Sequence, residues 1–273
     1  MQAIAAIAIL VATSTAVHIY PAAPIQGDPI MITVEATSTV KSIAFGGKPL
    51  ALFSYQGLPT AFYGFDINKK SGTYMIVAKL ADGASIQKPI TIGERKKAEV
   101  AFTIPAKLGG TTPAAETTLV STLAAENASL LGLRTGAKAF WTSPFAFPVA
   151  DATVTDPYGY SRDTGTVTVT HKGTDFHAPE GTPVLAANRG VVRLVQEGRN
   201  YGKTIIVDHG LGLMTFYMHL SKIYVNQGEL VQQGQVIGLS GQTGYAEGPH
   251  LHFTVRMNEI SIDPMMFMGF FAR

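Results

Sequence analysis

Gly248-Pro249-His250-Leu251-His252-Phe253-Thr254-Val255 reads as a β-strand entered through a turn. Successive side chains on a strand point to opposite faces, so residues two apart share one. His250 and His252 therefore stand together on one face, with Leu251, Phe253 and Val255 on the other. A rigid strand with an apolar back can aim two imidazoles into a single cleft. Met214-Thr215-Phe216-Tyr217-Met218-His219 gives a related reading. Here alternation predicts a polar face of Thr215, Tyr217 and His219, with Met214, Phe216 and Met218 packed behind it.

The histidines are concentrated: of seven in the chain, six fall between residues 171 and 252. His171 precedes Asp175 by four residues, a spacing at which a loop or strand start can turn both toward one ion. Imidazole and carboxylate suit zinc, and a catalytic zinc site takes three protein ligands and keeps one position open. Among His171, Asp175, His219, His250 and His252, two histidines remain once three ligands are chosen. Those two are available for proton transfer or charge stabilisation, which is the inventory of an enzyme rather than of a structural zinc knot. The His171–Asp175 spacing alone is a weak signal and gains its weight from the His250–His252 pair. No His-Glu-x-x-His helix occurs, which excludes the zinc peptidases built on one. The absence of cysteine excludes disulfides and thiolate ligation, leaving histidine and carboxylate to hold any metal.

The other histidines read differently. His209 precedes Gly210 at a strand end and is expected to pack or cap rather than line a cleft. His177 is expected at the surface or behind the ligands, and His18 near the N-terminus. The glycines between Gly228 and Gly244 mark β turns and not a phosphate loop, because no helix pattern follows them.

Outward from this segment, 273 residues allow about two domains. Hydrophobic residues make up 46% and charged ones 15%, enough apolar mass for sizeable cores. A net charge of +2 without basic runs gives nucleic acid no purchase. Short β-branched runs at 30–34, 41–45, 73–78 and 100–104, separated by turn residues, predict an immunoglobulin-like β-sandwich over residues 17–108. Residues 109–148 read as a helical connector. Pro113 follows a Gly109-Gly110-Thr111-Thr112 breaker and suits a first helical turn, and 114–133 is rich in Ala, Leu and Glu. From 149 to 273 the strand pattern resumes. The expected fold is thus mostly β: a sandwich, a helical connector, and an antiparallel β-sheet unit of barrel-sandwich type. Residues 3–12 are uniformly apolar and lead to Ser14-Thr15-Ala16, which predicts a secretory signal over 1–16, or a membrane anchor if uncleaved, although no Lys or Arg precedes Lys41. The expected location is the periplasm or cell envelope, and the expected state a monomer.

Residues 157–267 resemble the lysostaphin-type (LytM-like) zinc endopeptidases, which cut peptidoglycan cross-links. The resemblance is carried by Tyr158-Gly159-Tyr160-Ser161-Arg162, by His171 to Asp175 with Phe176, and by Ala178-Pro179 and Gly181-Thr182-Pro183-Val184. It continues through Asp208-His209-Gly210, Tyr217-Met218-His219-Leu220-Ser221, Gly234 to Gly238, and Gly248 to Phe253, in matching order and spacing. The resemblance implies one Zn2+ per chain held by His171, Asp175 and His252, with His219 and His250 as catalytic histidines and peptidoglycan peptides as substrate. All five positions are filled, which favours a working hydrolase. The alternative is a latent or non-catalytic wall-binding regulator, in which a side chain from residues 20–150 would occupy the open zinc position. Gly228 to Gly238 also resembles biotinyl and lipoyl carrier barrels, but those need an exposed lysine at a hairpin tip and no lysine follows Lys222.

Overall fold

Strands Pro29–Glu35 and Gly72–Leu80 bury alternate side chains, as the period of two requires. The computed structural model describes residues 15–101, 103–163 and 167–271, so residues 1–14 of the expected signal segment lie outside it. Two four-stranded antiparallel sheets form the N-terminal unit. One runs Ala16–Tyr20, Pro29–Glu35, Leu58–Gly64, Phe53–Tyr55, and the other Lys48–Pro49, Val40–Phe45, Gly72–Leu80, Ser85–Ile92. Ile30, Ile32 and Val34 share one core with Ile43, Phe45, Ile76 and Ile90, which makes the pair a sandwich.

The run expected at 100–104 departs from this. Its strand is Glu99–Ala101, and it pairs in parallel with Ser161–Asp163 instead of closing the sandwich. All three side chains are exposed, so no burial ties it to the sandwich core and backbone pairing alone selects its edge. Ile104 then buries beside Ala115, Leu119 and Tyr245.

The connector helix spans Pro113–Ser129, with Pro113 in its first turn and the Thr112 hydroxyl accepting from the Ala115 N–H at 3.2 Å. It ends four residues before the expected 133, at the buried Leu130. The chain then runs extended past Trp141 and Phe145 into the C-terminal unit. There, an eight-stranded sheet has at its centre the antiparallel strands Thr174–His177, His250–Met257, Leu213–Leu220 and Gly202–Gly210. A three-stranded sheet of Pro183–Leu185, Val236–Leu239 and Lys222–Ile223 lies beside it. Among the described residues, no helix is long and apolar enough to cross a membrane.

An aromatic seam joins the two units. Trp141 meets Phe53 at 5.4 Å between ring centroids, and Phe62 meets Phe270 at 5.7 Å. Beside the seam, the Arg95 guanidinium bridges Asp28 at 2.6 Å and Asp263 at 3.1 Å, linking sandwich to C-terminal unit. Burial pushes the Asp28 carboxyl up to about 6, with the Ile25 N–H and Arg95 working against it.

Candidate active site

The register of Thr174–His177 against His250–Met257 sets Asp175 directly opposite His252. Side chains so paired share a face and lie within reach of each other. His171 arrives from the turn before this strand, its backbone N–H donating to the Tyr160 carbonyl at 2.9 Å. The three side chains converge. His171 Nε2 lies 3.1 Å from Asp175 Oδ1 and 3.0 Å from His252 Nδ1, and His252 Nδ1 lies 2.7 Å from Asp175 Oδ1. All three residues are buried. The packing demands Gly173, where a Cβ would meet His252 Nε2 and stand 2.7 Å from Thr254 Oγ1.

Neighbouring groups fix which atoms face inward. His171 Nδ1 is 2.9 Å from the Pro157 carbonyl, which can only accept, so Nδ1 carries the proton and Nε2 presents a lone pair. The Thr254 hydroxyl donates to the Lys172 carbonyl and accepts from His252 Nε2–H at 3.0 Å, which leaves the His252 Nδ1 lone pair free. The Arg162 guanidinium donates to Asp175 Oδ2 at 2.7 Å and, through Nε, to the Tyr160 hydroxyl at 2.7 Å. Asp175 therefore turns Oδ1 to the centre. Burial pushes His252 down to about 4, so its ring is neutral at pH 7. Two lone pairs and a carboxylate oxygen within 3.1 Å of one another repel unless a cation sits between them. The donor set, two imidazole nitrogens and one carboxylate oxygen with outer-shell partners in place, fits zinc.

His219 and His250 flank this centre with ring centroids 4.9 Å apart. His219 Nδ1 donates to the Thr243 carbonyl at 2.9 Å, and His250 Nδ1 to the Gly248 carbonyl at 2.8 Å. Both Nε2 atoms are thereby left as lone-pair sites. His250 Nε2 is buried with no hydrogen-bond partner among the described residues, and lies 3.8 Å from Asp175 Oδ2. An orphaned buried nitrogen beside three converging ligands marks where a water or substrate atom would sit. Burial, then the neighbouring His250 and His252 rings, push His219 well below its ordinary value.

Alternation does not bring His219 here. Met218 pairs with His252 and Phe216 with Thr254, so the apolar set of this strand shares the His252 face. Thr215 and Tyr217 point into the core instead, where the Tyr217 hydroxyl accepts from the Ala187 N–H at 2.8 Å and the Thr215 hydroxyl donates to it at 2.9 Å. Strict alternation would send His219 after them. The pairing of Leu213–Leu220 with Gly202–Gly210 slips by one residue between Tyr217 and Leu220, a β-bulge, and His219 takes a φ of +62°. The bulge re-aims its ring into the site. The expected polar face is therefore corrected: those polar residues satisfy one another inside, and a backbone irregularity delivers the histidine.

Of the remaining histidines, His209 is fully buried, its Nδ1–H donating to the Arg189 carbonyl at 2.9 Å, its Nε2 2.8 Å from the Thr215 hydroxyl and its ring edge-on to Phe145. It packs, as expected. His177 is exposed, 4.0 Å from Asp151, and His18 lies 3.6 Å from Glu35. Sequence reasoning missed Thr254 and the role of Arg162. Thr254 shares the His252 face by the same period of two and was within reach of that rule.

Beside the site lies an open groove of about 480 Å³. Its floor includes His171, His219 and His252, and the connector helix contributes Leu119, Val120 and Leu123 to one wall. Among the described residues, no side chain from 20–150 hydrogen-bonds any of the five.

Residues 169–264 match the sequence profile described as Peptidase family M23. Among curated proteins, the chain is 49% identical over 83 residues to the peptidoglycan DD-endopeptidase ShyA of Vibrio cholerae, covering 30% of this chain and 19% of that one. It is 37% identical over 119 residues to the DD-carboxypeptidase/endopeptidase Mpg of Neisseria meningitidis, covering 43% and 27%. The chain thus spans well under a third of the length of these relatives. A crystal structure of a peptidase M23 from Pseudomonas aeruginosa aligns over 90% of this chain and 95% of its own, with a TM-score of 0.65 and 27% identity.

Proposed function

From the premise that residues 169–264 form a peptidase family M23 domain, we propose that this chain is a zinc-dependent endopeptidase that hydrolyses peptide cross-links of bacterial peptidoglycan. The observation that carries this reading is the convergence of His171 Nε2, Asp175 Oδ1 and His252 Nδ1 beneath two further histidines with free Nε2 lone pairs. Those three atoms would hold the ion. Bound there, zinc polarises the scissile carbonyl and brings the pKa of water toward neutrality.

The chain's own groups supply the proton transfers. His219 and His250, with their protons pinned on Nδ1 by backbone carbonyls, take the proton of the attacking water at Nε2 and return one to the leaving amine. Burial keeps His219 neutral, the form that accepts. Arg162 and Thr254 hold Asp175 and His252 in their ligating orientations. The open groove, with an apolar wall from the connector helix, suits an extended peptide. The name of ShyA supports peptidoglycan as that peptide's source. Because peptidoglycan lies outside the cytoplasmic membrane, the reading places the chain in the cell envelope, in keeping with the apolar residues 3–12. Within it we assign residues 17–108 chiefly to an accessory sandwich, 109–148 to a connector and 149–273 to the peptidase, acting as a monomer.

Zinc content and digestion of purified peptidoglycan by the full chain, with His219→Ala and His252→Ala, test this. Expected are loss of cross-linked muropeptides with the unmutated chain only, zinc retained in His219→Ala, and zinc lost in His252→Ala. Stoichiometric zinc without cleavage of walls of differing cross-link chemistry would refute the proposal.

A further inference from the structure

Glu126 lies in the connector helix, outside the segment that matches the family profile, yet its carboxylate is spent on the active-site hairpin. Oε1 accepts from the Asn200 backbone N–H at 2.8 Å and from Asn200 Nδ2 at 2.9 Å, and Oε2 accepts from the Tyr201 backbone N–H at 3.0 Å. Both oxygens thus hold consecutive amides of the turn joining Gly190–Gly198 to Gly202–Gly210.

His219 is anchored to that same turn twice. Its backbone N–H donates to the Tyr201 carbonyl at 3.0 Å. Its ring Nδ1–H donates to the Thr243 carbonyl, and Thr243 is itself locked to the turn: its hydroxyl accepts from the Lys203 N–H at 3.0 Å, and Gly202 packs so tightly on it that a Cβ there would collide. The neighbouring Tyr245 N–H donates to the Asn200 carbonyl at 2.7 Å. His219 needs such anchoring, since a non-glycine residue at φ +62° persists only where its surroundings impose that conformation.

We infer that Glu126 is a positioning residue for His219, fixing the Asn200–Tyr201 turn so that the bulged strand presents His219 Nε2 to the reacting centre. Helix docking does not by itself account for these bonds. The helix already buries Ala115 and Leu119 against Ile104 and Tyr245, and Asn127 accepts from the Tyr201 hydroxyl at 2.9 Å. The inference rests on the endopeptidase reading only for its kinetic consequence.

Glu126→Gln in the full chain isolates the effect. It keeps size and helix propensity, but an amide has one acceptor oxygen and one NH2, so one turn N–H is left facing another donor. Two readouts are taken: kcat and KM on soluble cross-linked muropeptides, and the downfield His219 Nδ1–H proton resonance in the zinc-free chain, assigned by its loss in His219→Gln. Ser121→Ala, exposed on the same helix, serves as control and should match the unmutated chain in both. The expected result for Glu126→Gln is a moved or broadened His219 resonance and a kcat lower by about tenfold or more, with KM within about twofold, as misplacement of a reacting group predicts. An unmoved resonance overturns the inference whatever the kinetics, and so does a kcat that stays level or rises, the latter marking the helix as a restraint. If the unmutated chain cleaves no muropeptide while the resonance moves in Glu126→Gln, the endopeptidase reading fails and the positioning role stands.

Discussion

Acid should weaken this fold through His209, by an amount the structure lets one work out. Its ring is fully buried, with Nδ1 2.9 Å from the Arg189 carbonyl, Nε2 2.8 Å from the Thr215 hydroxyl, and the Phe145 ring nearly perpendicular to it at 5.0 Å between centroids. Burial pushes it down to about 4 from an ordinary 6.5, with the Arg189 carbonyl and Asp208 only partly offsetting. The unfolded chain binds a proton here near pH 6.5, and the folded chain does not until near pH 4. Stability is therefore complete above about pH 6.5 and drains as pH falls toward about 4. At about 1.4 kcal/mol per unit, the loss is on the order of 2 kcal/mol by pH 5. Urea denaturation of the zinc-free chain and of His209→Gln, from about pH 7.5 to pH 5, measures it. Other titrating groups, Asp28 and the site histidines among them, are common to both proteins and cancel in the difference. The stability gap between the two should narrow by about 2 kcal/mol over that range. A gap that does not change with pH would refute the reasoning.

Three further outcomes are expected. Arg162→Met strips Asp175 Oδ2 of its 2.7 Å partner and should weaken zinc binding about 10- to 100-fold in a chelator competition; unchanged affinity would mean that Asp175 needs no outer support. Gly173→Ala should fold but bind zinc at least about tenfold more weakly, because its methyl takes the space of the His252 ring and the Thr254 hydroxyl, and full zinc occupancy at wild-type affinity would contradict that packing. Arg95→Met leaves the buried Asp28 and the part-buried Asp263 without their shared cation and should cost about 3–5 kcal/mol of stability, read by denaturation at neutral pH; a loss under about 1 kcal/mol would show that water reaches both carboxylates.

Much of the site is legible in the sequence because its parts are local. His171 and Asp175 are four residues apart, and His250 and His252 share a strand face by the simplest rule of β geometry. The mostly β fold is legible for the same reason, since Pro29–Glu35 and Gly72–Leu80 alternate cleanly. His219 is different. Its polar neighbours Thr215 and Tyr217 look solvent-facing until one sees that they hydrogen-bond each other inside, and a one-residue bulge leaves no mark in the pattern. Glu126 and Glu99–Ala101 are less legible still. Their partners lie 74 and about 60 residues away, and backbone amides, which every residue carries, decide the pairing.

Trp141 is the only tryptophan in the chain, and it sits nine-tenths buried in the seam, against Phe53 and Phe62 of the sandwich and Phe145 beside it. All indole emission from this molecule therefore originates at one place, where the two units meet. A red shift of that emission reports water entering the seam, and nothing that happens at the metal ligands alone should produce one. The protein carries its own optical gauge of whether its halves remain joined.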